Sequence, residues 1–274
     1  MNYAVNYIFP EVMNFTKPDD TYIKYPGGKW DFDTLKDLIS KSYKVVLHGI
    51  IPSSGSILDP MLCDHISEFY EIAKNTNQKW LSFHFERKDK YEQADIDDVI
   101  QSNITKIHKY FGDIQILIEN MPTVDGIQSW CCEPSVISKY CKKYNFGLLL
   151  DIPHSVISAQ YFKNDVKDYI NEFPLSIVKE IHLSGWSRLN NGKLYDSHIE
   201  CNQESYELLK YVINKTENCE MISLEYAPSR DYDGESVAKE YREKRSYEEL
   251  YIEQQRQLKK IKEIVMNSLD SKKI

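Results

Sequence analysis

The feature that most restricts the fold is a short apolar run that recurs along the chain, each time followed by a polar stretch and then by a segment of helical periodicity. The runs lie at Tyr3–Phe9, Tyr22–Tyr25, Lys44–Ile50, Lys79–Phe83, Gln115–Glu119, Phe146–Ile152, Val178–Leu183 and Met221–Tyr226. Helical patterns fall between them at Asp33–Lys41, after the turn-forming Pro26-Gly27-Gly28, and at Asp64–Asn75, Asp95–Tyr110, Pro134–Tyr144 and Glu204–Asn214. This alternation marks βαβ units, in which each helix crosses back over the sheet. Runs such as Gly147-Leu148-Leu149-Leu150 are continuously apolar, as strands must be when both faces are covered. Eight runs fit a closed (β/α)8 TIM barrel, an α/β fold of about 250 residues. That size absorbs nearly all of residues 1–274 in a single domain. A last segment, about 240–269, carries Tyr247, Leu250, Tyr251, Leu258, Ile261, Val265 and Leu269 at helical spacing and reads as the closing helix.

Charge and cysteine usage narrow the function classes. A formal net charge of -8 repels phosphate backbones in general, so nucleic acid is a disfavoured partner. The N-terminus lacks a basic stretch followed by a long apolar one, and no run approaches the roughly 20 apolar residues of a membrane span. The chain therefore reads as soluble and cytoplasmic, with no membrane partner. Its cysteines, Cys63, Cys131, Cys132, Cys141, Cys201 and Cys219, contain no CxxC and suit scattered reduced thiols.

The chemistry lies in where the ionisable residues fall. His48 ends VVLHG, His84 ends WLSFH, Glu119 ends ILIEN, and Asp151 with His154 ends LLLDIPH. His182 lies in EIHLSG, Asp196 and His198 form YDSH, and Glu225 ends ISLEY. A lone histidine at a strand end is more often a hydrogen-bonded core group than a ligand. Here, however, five of the seven histidines fall at such places beside carboxylates. In a (β/α)8 barrel all strand C-termini open on one mouth, so these nine residues converge. Carboxylates buried together without a counter-charge cost several kcal/mol, which divalent cations remove while imidazoles complete the coordination. His65 and His108 sit inside helical patterns and are left out. Asp196 and His198, two apart, share one side of an extended segment. Asp151 and His154 are read as spanning a strand-to-loop turn stiffened by Pro153. Glu86 and Arg87, after His84, read as groups that support the ligands or meet a substrate, or as an exposed ion pair.

On these residues the sequence resembles the multinuclear non-haem iron-dependent oxidative enzymes, a branch of the xylose isomerase-like barrels that modifies ribosomally made peptides. The resemblance spans roughly residues 44–228 and is nearest the methanobactin-type members. It rests on LHGIIPSSGS, SFHFE, ILIENMP, GLLLDIPHSVISAQ, EIHLSGW, YDSH and ISLEYAP, and on their order. Many relatives carry an Asn-rich stretch after the strand-end Asp, where this chain has Pro153-His154 and so an additional imidazole. The resemblance implies that His48, His84 and Glu119 hold a first ion and that Glu119, Asp151, His182 and Glu225 hold a second. His154, Asp196 and His198 would hold a third.

It further implies an O2-dependent oxidase with two or three iron ions in mixed Fe2+/Fe3+ valence, acting on a cysteine of a precursor peptide, with a leader-binding partner protein. Zinc or manganese are the alternative metals. The same ligand order also resembles the endonuclease IV group of trinuclear zinc phosphodiesterases, but Ser197 stands where that group carries arginine, and this chain is acidic. A non-catalytic metal-binding module needs the same ligands and no reaction. A sugar isomerase is disfavoured because no lysine is seen paired with the metal motifs at a strand end.

Overall fold

The computed structural model describes residues 1–7, 10–26, 32–49, 55–61, 63–74, 76–87, 95–123, 125–126, 129–228 and 241–271. Ile8, Phe9, Gly27, Gly28, Ile50 and Asn75 of the expected elements lie outside these, as do the side chain of His65 and the first residue of the expected closing helix. Eight strands form a closed parallel barrel: β1 Asn2–Asn6, β2 Tyr22–Pro26, β3 Val45–His48, β4 Trp80–His84, β5 Gln115–Glu119, β6 Gly147–Asp151, β7 Val178–Leu183 and, last in the chain, β10 Met221–Leu224. The closure runs β1-β10-β7-β6-β5-β4-β3-β2. Between β7 and β10 the chain adds a two-stranded antiparallel hairpin, β8 Gly185–Arg188 and β9 Leu194–Ile199. The helices are α1 Phe32–Ser40, α2 Cys63–Ala73, α3 Ile96–Phe111, α4 Pro134–Tyr144, α5 Ile152–Phe162, α6 Val166–Asn171, α7 Gln203–Lys215 and α8 Tyr247–Ser271.

The apolar runs encode two different surfaces. Successive side chains of a strand point to opposite faces, so Leu148 and Leu150 join the core shared with the helices while Leu149 points into the barrel. Ala4, Val46, Trp80, Leu117, Leu149 and Met221 pack together as an apolar floor inside the barrel. Two residues further along four of those strands stand His48, Glu119, Asp151 and Ser223. Register sets them side by side: His84 pairs Glu119, and His182 lies between Asp151 and Ser223. The period-two rule thus places a polar layer directly above the floor.

Two elements depart from the sequence expectation. Ile152–Phe162 is a helix beginning immediately after β6, not a loop turn. Asp151 is its N-cap and accepts from His154 N–H at 2.6 Å, and Pro153 occupies the first turn, where its missing N–H costs nothing. The helix went unseen because Ile152 through Ala159 are all buried, which erases amphipathic periodicity. The hairpin also went unseen as a unit: Asp196 and His198 are read only as part of an extended segment, and an antiparallel pair inserted between barrel strands falls outside the βαβ alternation. The closing helix packs Leu250, Leu258, Ile261 and Val265 inward but leaves Leu269 exposed. Gln254 donates to Asn6 O, and Gln257 accepts from Cys201 N–H, so α8 ties the end of β1 to the end of the hairpin. Among the described residues no helix is long and apolar enough to cross a membrane.

Candidate metal centre

The nine strand-end residues converge. His48 Nδ1 is held by Ser82 Oγ at 2.8 Å, which turns Nε2 toward Glu119 Oε2 at 3.1 Å and His84 Nε2 at 3.1 Å. On the far side of Glu119, His182 Nδ1 lies 3.1 Å from Glu119 Oε1, 3.2 Å from Glu225 Oε2 and 3.6 Å from Asp151 Oδ2. Two sets therefore gather their ligand atoms within 4.8 Å of one another: His48, His84 and Glu119, and then Glu119, Asp151, His182 and Glu225. Glu119 belongs to both and offers a different oxygen to each.

The remaining three lie beside them. His154 Nε2 is 3.0 Å from Asp196 Oδ2, and His198 Nε2 is 3.1 Å from the same oxygen and 3.7 Å from Glu225 Oε2. These do not gather as tightly as the first two sets, because the carboxylate stands between the two imidazoles. His198 has a left-handed φ of 47°, so β9 bends at this residue and does not continue as the regular extended strand expected. Gly185 secures this bend: a Cβ there would come within 2.0 Å of Glu200 O, so the hairpin strands close only around glycine.

The electrostatics of this group call for a cation. Glu119, Asp151, Glu180, Asp196 and Glu225 all converge on the polar layer, with one ammonium among the described residues, Lys24. Burial and the neighbouring carboxylates Glu119, Glu225 and Asp196 push the Asp151 carboxyl well above its ordinary range, against the pull of His154. Glu119 Oε2 and Asp196 Oδ1 are buried and accept no well-formed hydrogen bond, although His48 Nε2 stands 3.1 Å from the former. Around His154, Nδ1 faces the carbonyl of Asn120 at 2.8 Å, an acceptor, and so must carry a hydrogen. A neutral ring then has its lone pair at Nε2, facing another acceptor, Asp196 Oδ2. A proton or a metal ion must stand between them. The donor set of imidazole and carboxylate, with orphaned buried oxygens, fits divalent transition metals.

Lys24 and Glu180 are the participants the sequence reading missed. Lys24, on β2, is 1% exposed; its Nζ lies 3.3 Å from Glu180 Oε1 and 3.4 Å from Glu225 Oε1, and touches His182 Nε2. The carboxylates keep it charged: although burial alone opposes the charge, Glu180 and Glu225 raise its pKa. This lysine accompanies the ligands from within β2, not from a strand end, and it is sealed beneath them. The signals were present, since a lysine interrupts the apolar run at Tyr22–Tyr25 and Glu180 stands two before His182, on the same face of β7. Asn120 also escaped notice; it braces β5 on β6, donating to Asp151 O and accepting from Asp151 N–H. Glu86 stands 3.8 Å from His84 Nδ1, at the rim.

Comparison with known proteins adds a family and a fold. A family model described as RiPP precursor modification enzyme MbnB/TglH/ChrH matches residues 19–229. A UPF0276 protein of Acaryochloris marina is 25% identical over 187 residues, 64% of this chain and 66% of that protein. One from Rhizobium meliloti is 25% identical over 178 residues, 58% and 56% respectively. The chain thus spans somewhat less than two thirds of the length of these two curated relatives. Among solved structures, the IOLI protein with a binding zinc atom superposes with a TM-score of 0.61 at 14% identity, covering 98% of this chain and 99% of that one. A xylose isomerase domain protein from Alicyclobacillus acidocaldarius gives 0.57 at 9% identity over 97% and 99%. Both establish the xylose isomerase-like TIM barrel and nothing finer.

Proposed function

Because the chain belongs to the RiPP precursor modification enzyme family MbnB/TglH/ChrH, we propose that it is a multinuclear iron, O2-dependent oxidase that modifies cysteine in a ribosomally synthesised precursor peptide. The observation that carries this reading is the pair of ligand sets sharing Glu119. His48, His84 and Glu119 hold the first ion, and Glu119, Asp151, His182 and Glu225 the second. His154, Asp196 and His198 hold the third. Iron bound there supplies a Lewis acid for a substrate thiol and electrons for O2.

The chain's own residues do the rest. Ser82 and Asn120 O fix which nitrogens of His48 and His154 face the ligand side, as groups behind metal-binding histidines commonly do. Among the described residues neither ligand set contains a cysteine, which leaves a soft substrate sulfur as the thiolate. Cys131, Cys132, Cys141 and Cys201 are buried thiols whose pKa values are pushed well up, largely by burial, which suits packing rather than reaction. A cavity of about 300 Å³, lined by Thr123, Ile157, Gln160, Tyr161, Lys193 and Leu194, lies between α5 and the hairpin tip. Ile157 follows His154 by one helical turn and Leu194 precedes Asp196 by two residues, so the cavity is walled by the same helix and strand that carry the third ligand set. We assign recognition of the leader to a partner protein, as the family resemblance implies.

The test is anaerobic reconstitution with ferrous iron, then addition of precursor peptide, partner and O2. A change in peptide mass with loss of free thiol supports the reading. Unchanged mass and thiol with iron-loaded protein overturn it. Cleavage of abasic DNA by zinc-loaded protein would replace it with the phosphodiesterase alternative, and bound, redox-silent metal that never turns over would replace it with a storage role.

A further inference from the structure

His182 presents its two ring nitrogens to different chemistries. Nδ1 faces the three carboxylates of the second ligand set, while Nε2 points down the barrel to Glu180 Oε1 at 3.2 Å and to Lys24. Glu180 is fully buried and held at both oxygens: Ser223 Oγ donates to Oε1 at 2.6 Å, and Trp80 Nε1 donates to Oε2 at 3.0 Å. Lys24 spans from Glu180 Oε1 to Glu225 Oε1, whereas the other oxygen of Glu225 is the one that faces His182. Four strands, β2, β4, β7 and β10, supply this arrangement, so it is as rigid as the barrel itself.

We infer that Glu180 and Lys24 are paired positioning residues beneath the metal centre, with opposite effects on it. A neutral imidazole carries one hydrogen, and Nδ1 can be a ligand only when that hydrogen is on Nε2. Glu180 is the acceptor placed to take it, whereas the Lys24 ammonium, which only donates, competes for the lone pair of the same nitrogen and favours the opposite tautomer. Glu180 therefore favours metal binding by fixing the tautomer and ring orientation of His182. Lys24 holds one oxygen of Glu225 and leaves the other for the ion. Its fixed positive charge also stands among the same carboxylates, serving as their counter-ion in the metal-free chain and opposing the cation that replaces it. The inference rests on the metal-binding reading of the preceding section.

The experiment compares the full chain with Glu180→Gln, Lys24→Met and Ser223→Ala, titrating ferrous iron anaerobically and measuring iron per chain and Tm with and without iron. Glu180→Gln should weaken iron binding by about 10–100-fold and shrink the rise in Tm that iron produces. Ser223→Ala, which keeps the carboxylate but removes one of its anchors, should move both readings the same way by less, and it serves if Glu180→Gln does not fold. Lys24→Met should lower the Tm of the metal-free chain yet enlarge the rise on adding iron. Glu180→Gln and Lys24→Met variants that each lose Tm equally with and without iron, or that shift the iron-induced rise in the same direction as one another, overturn the inference. A wild-type chain that takes up no iron overturns the metal reading and the inference with it. A wild type that binds iron alongside variants with unchanged affinity overturns the inference alone.

Discussion

His154 Nε2 lies 3.0 Å from Asp196 Oδ2, joining the first turn of α5 to strand β9 across the barrel mouth. Its other nitrogen is committed to Asn120 O, so Nε2 is the only nitrogen free to bind an ion. Replacing His154 with Ala removes that ligand from a helical position where Ala is the best helix former. Metal content per chain should fall toward one ion fewer while the far-UV circular dichroism stays unchanged. Metal analysis beside the spectrum checks both, and full occupancy in the variant would undo the assignment of three positions.

Glu119 should be the most sensitive single ligand. It alone belongs to both tight sets, offering Oε2 to His48 and Oε1 to His182. Glu119→Gln should deplete two positions together, whereas His48→Ala should deplete one. If the two variants retain equal metal, as read by metal analysis after dialysis against the same ferrous solution, Glu119 does not bridge.

The barrel and the nine converging residues were legible because both follow from periodicity. Strand ends reveal themselves where an apolar run stops at a charge, and parallel topology then brings those ends together. The two tight ligand sets came from family resemblance, and the geometry gathers the same residues. What escaped was chemistry buried inside an element. Lys24 and Glu180 lie within strands, where a charge reads as an interruption until its partner across the barrel is known. Helix α5 was hidden because it is buried on all sides of its first two turns, leaving no polar face for a pattern to find. The bend at His198 depends on contact between β9 and Gly185, which no local spacing encodes.

Gly185 should control the third position without touching metal. An added Cβ meets Glu200 O at 2.0 Å and Ile199 O at 3.0 Å, both backbone atoms that cannot rotate away. Gly185→Ala should therefore part β8 from β9, carry Asp196 and His198 away from His154, and cost about 1–3 kcal/mol as overpacking does. Chemical denaturation measures the cost, and metal analysis should show the same lost ion as His154→Ala. A variant of normal stability and full occupancy would show that the hairpin tolerates a side chain here.

The metal-free chain should lose stability as pH rises above neutrality. Burial opposes a charge on His198, but Asp196 at 3.1 Å and Glu225 at 3.7 Å outweigh it and raise the pKa to about 10. An unfolded histidine titrates near about 6.5. The folded state thus holds its proton more tightly, and this contribution is complete below about 6.5 and lost as pH climbs through about 10. With metal bound, the lone pair serves the ion and the decline should flatten, while metal affinity rises over the same interval as protons are released. Thermal melts from pH 6 to 10, with and without metal, check this. A metal-free Tm that holds level across the interval would contradict it.

Asp151 serves two purposes that substitution can separate. Oδ1 accepts from His154 N–H at 2.6 Å and caps α5, while Oδ2 turns to His182 at 3.6 Å. Asparagine caps a helix as well as aspartate does, but it brings no charge to a metal. Burial and the surrounding carboxylates already disfavour the Asp151 charge in the metal-free chain. Asp151→Asn should therefore leave the metal-free Tm level or higher while weakening metal binding at the second position. Asp151→Ala loses the cap as well, and should cost about 0.5–2 kcal/mol in the metal-free chain. Equal stability of the two variants by denaturant titration would mean that the cap contributes nothing to holding His154 in place, and that the ring of ligands around it, not the helix start, positions the imidazole.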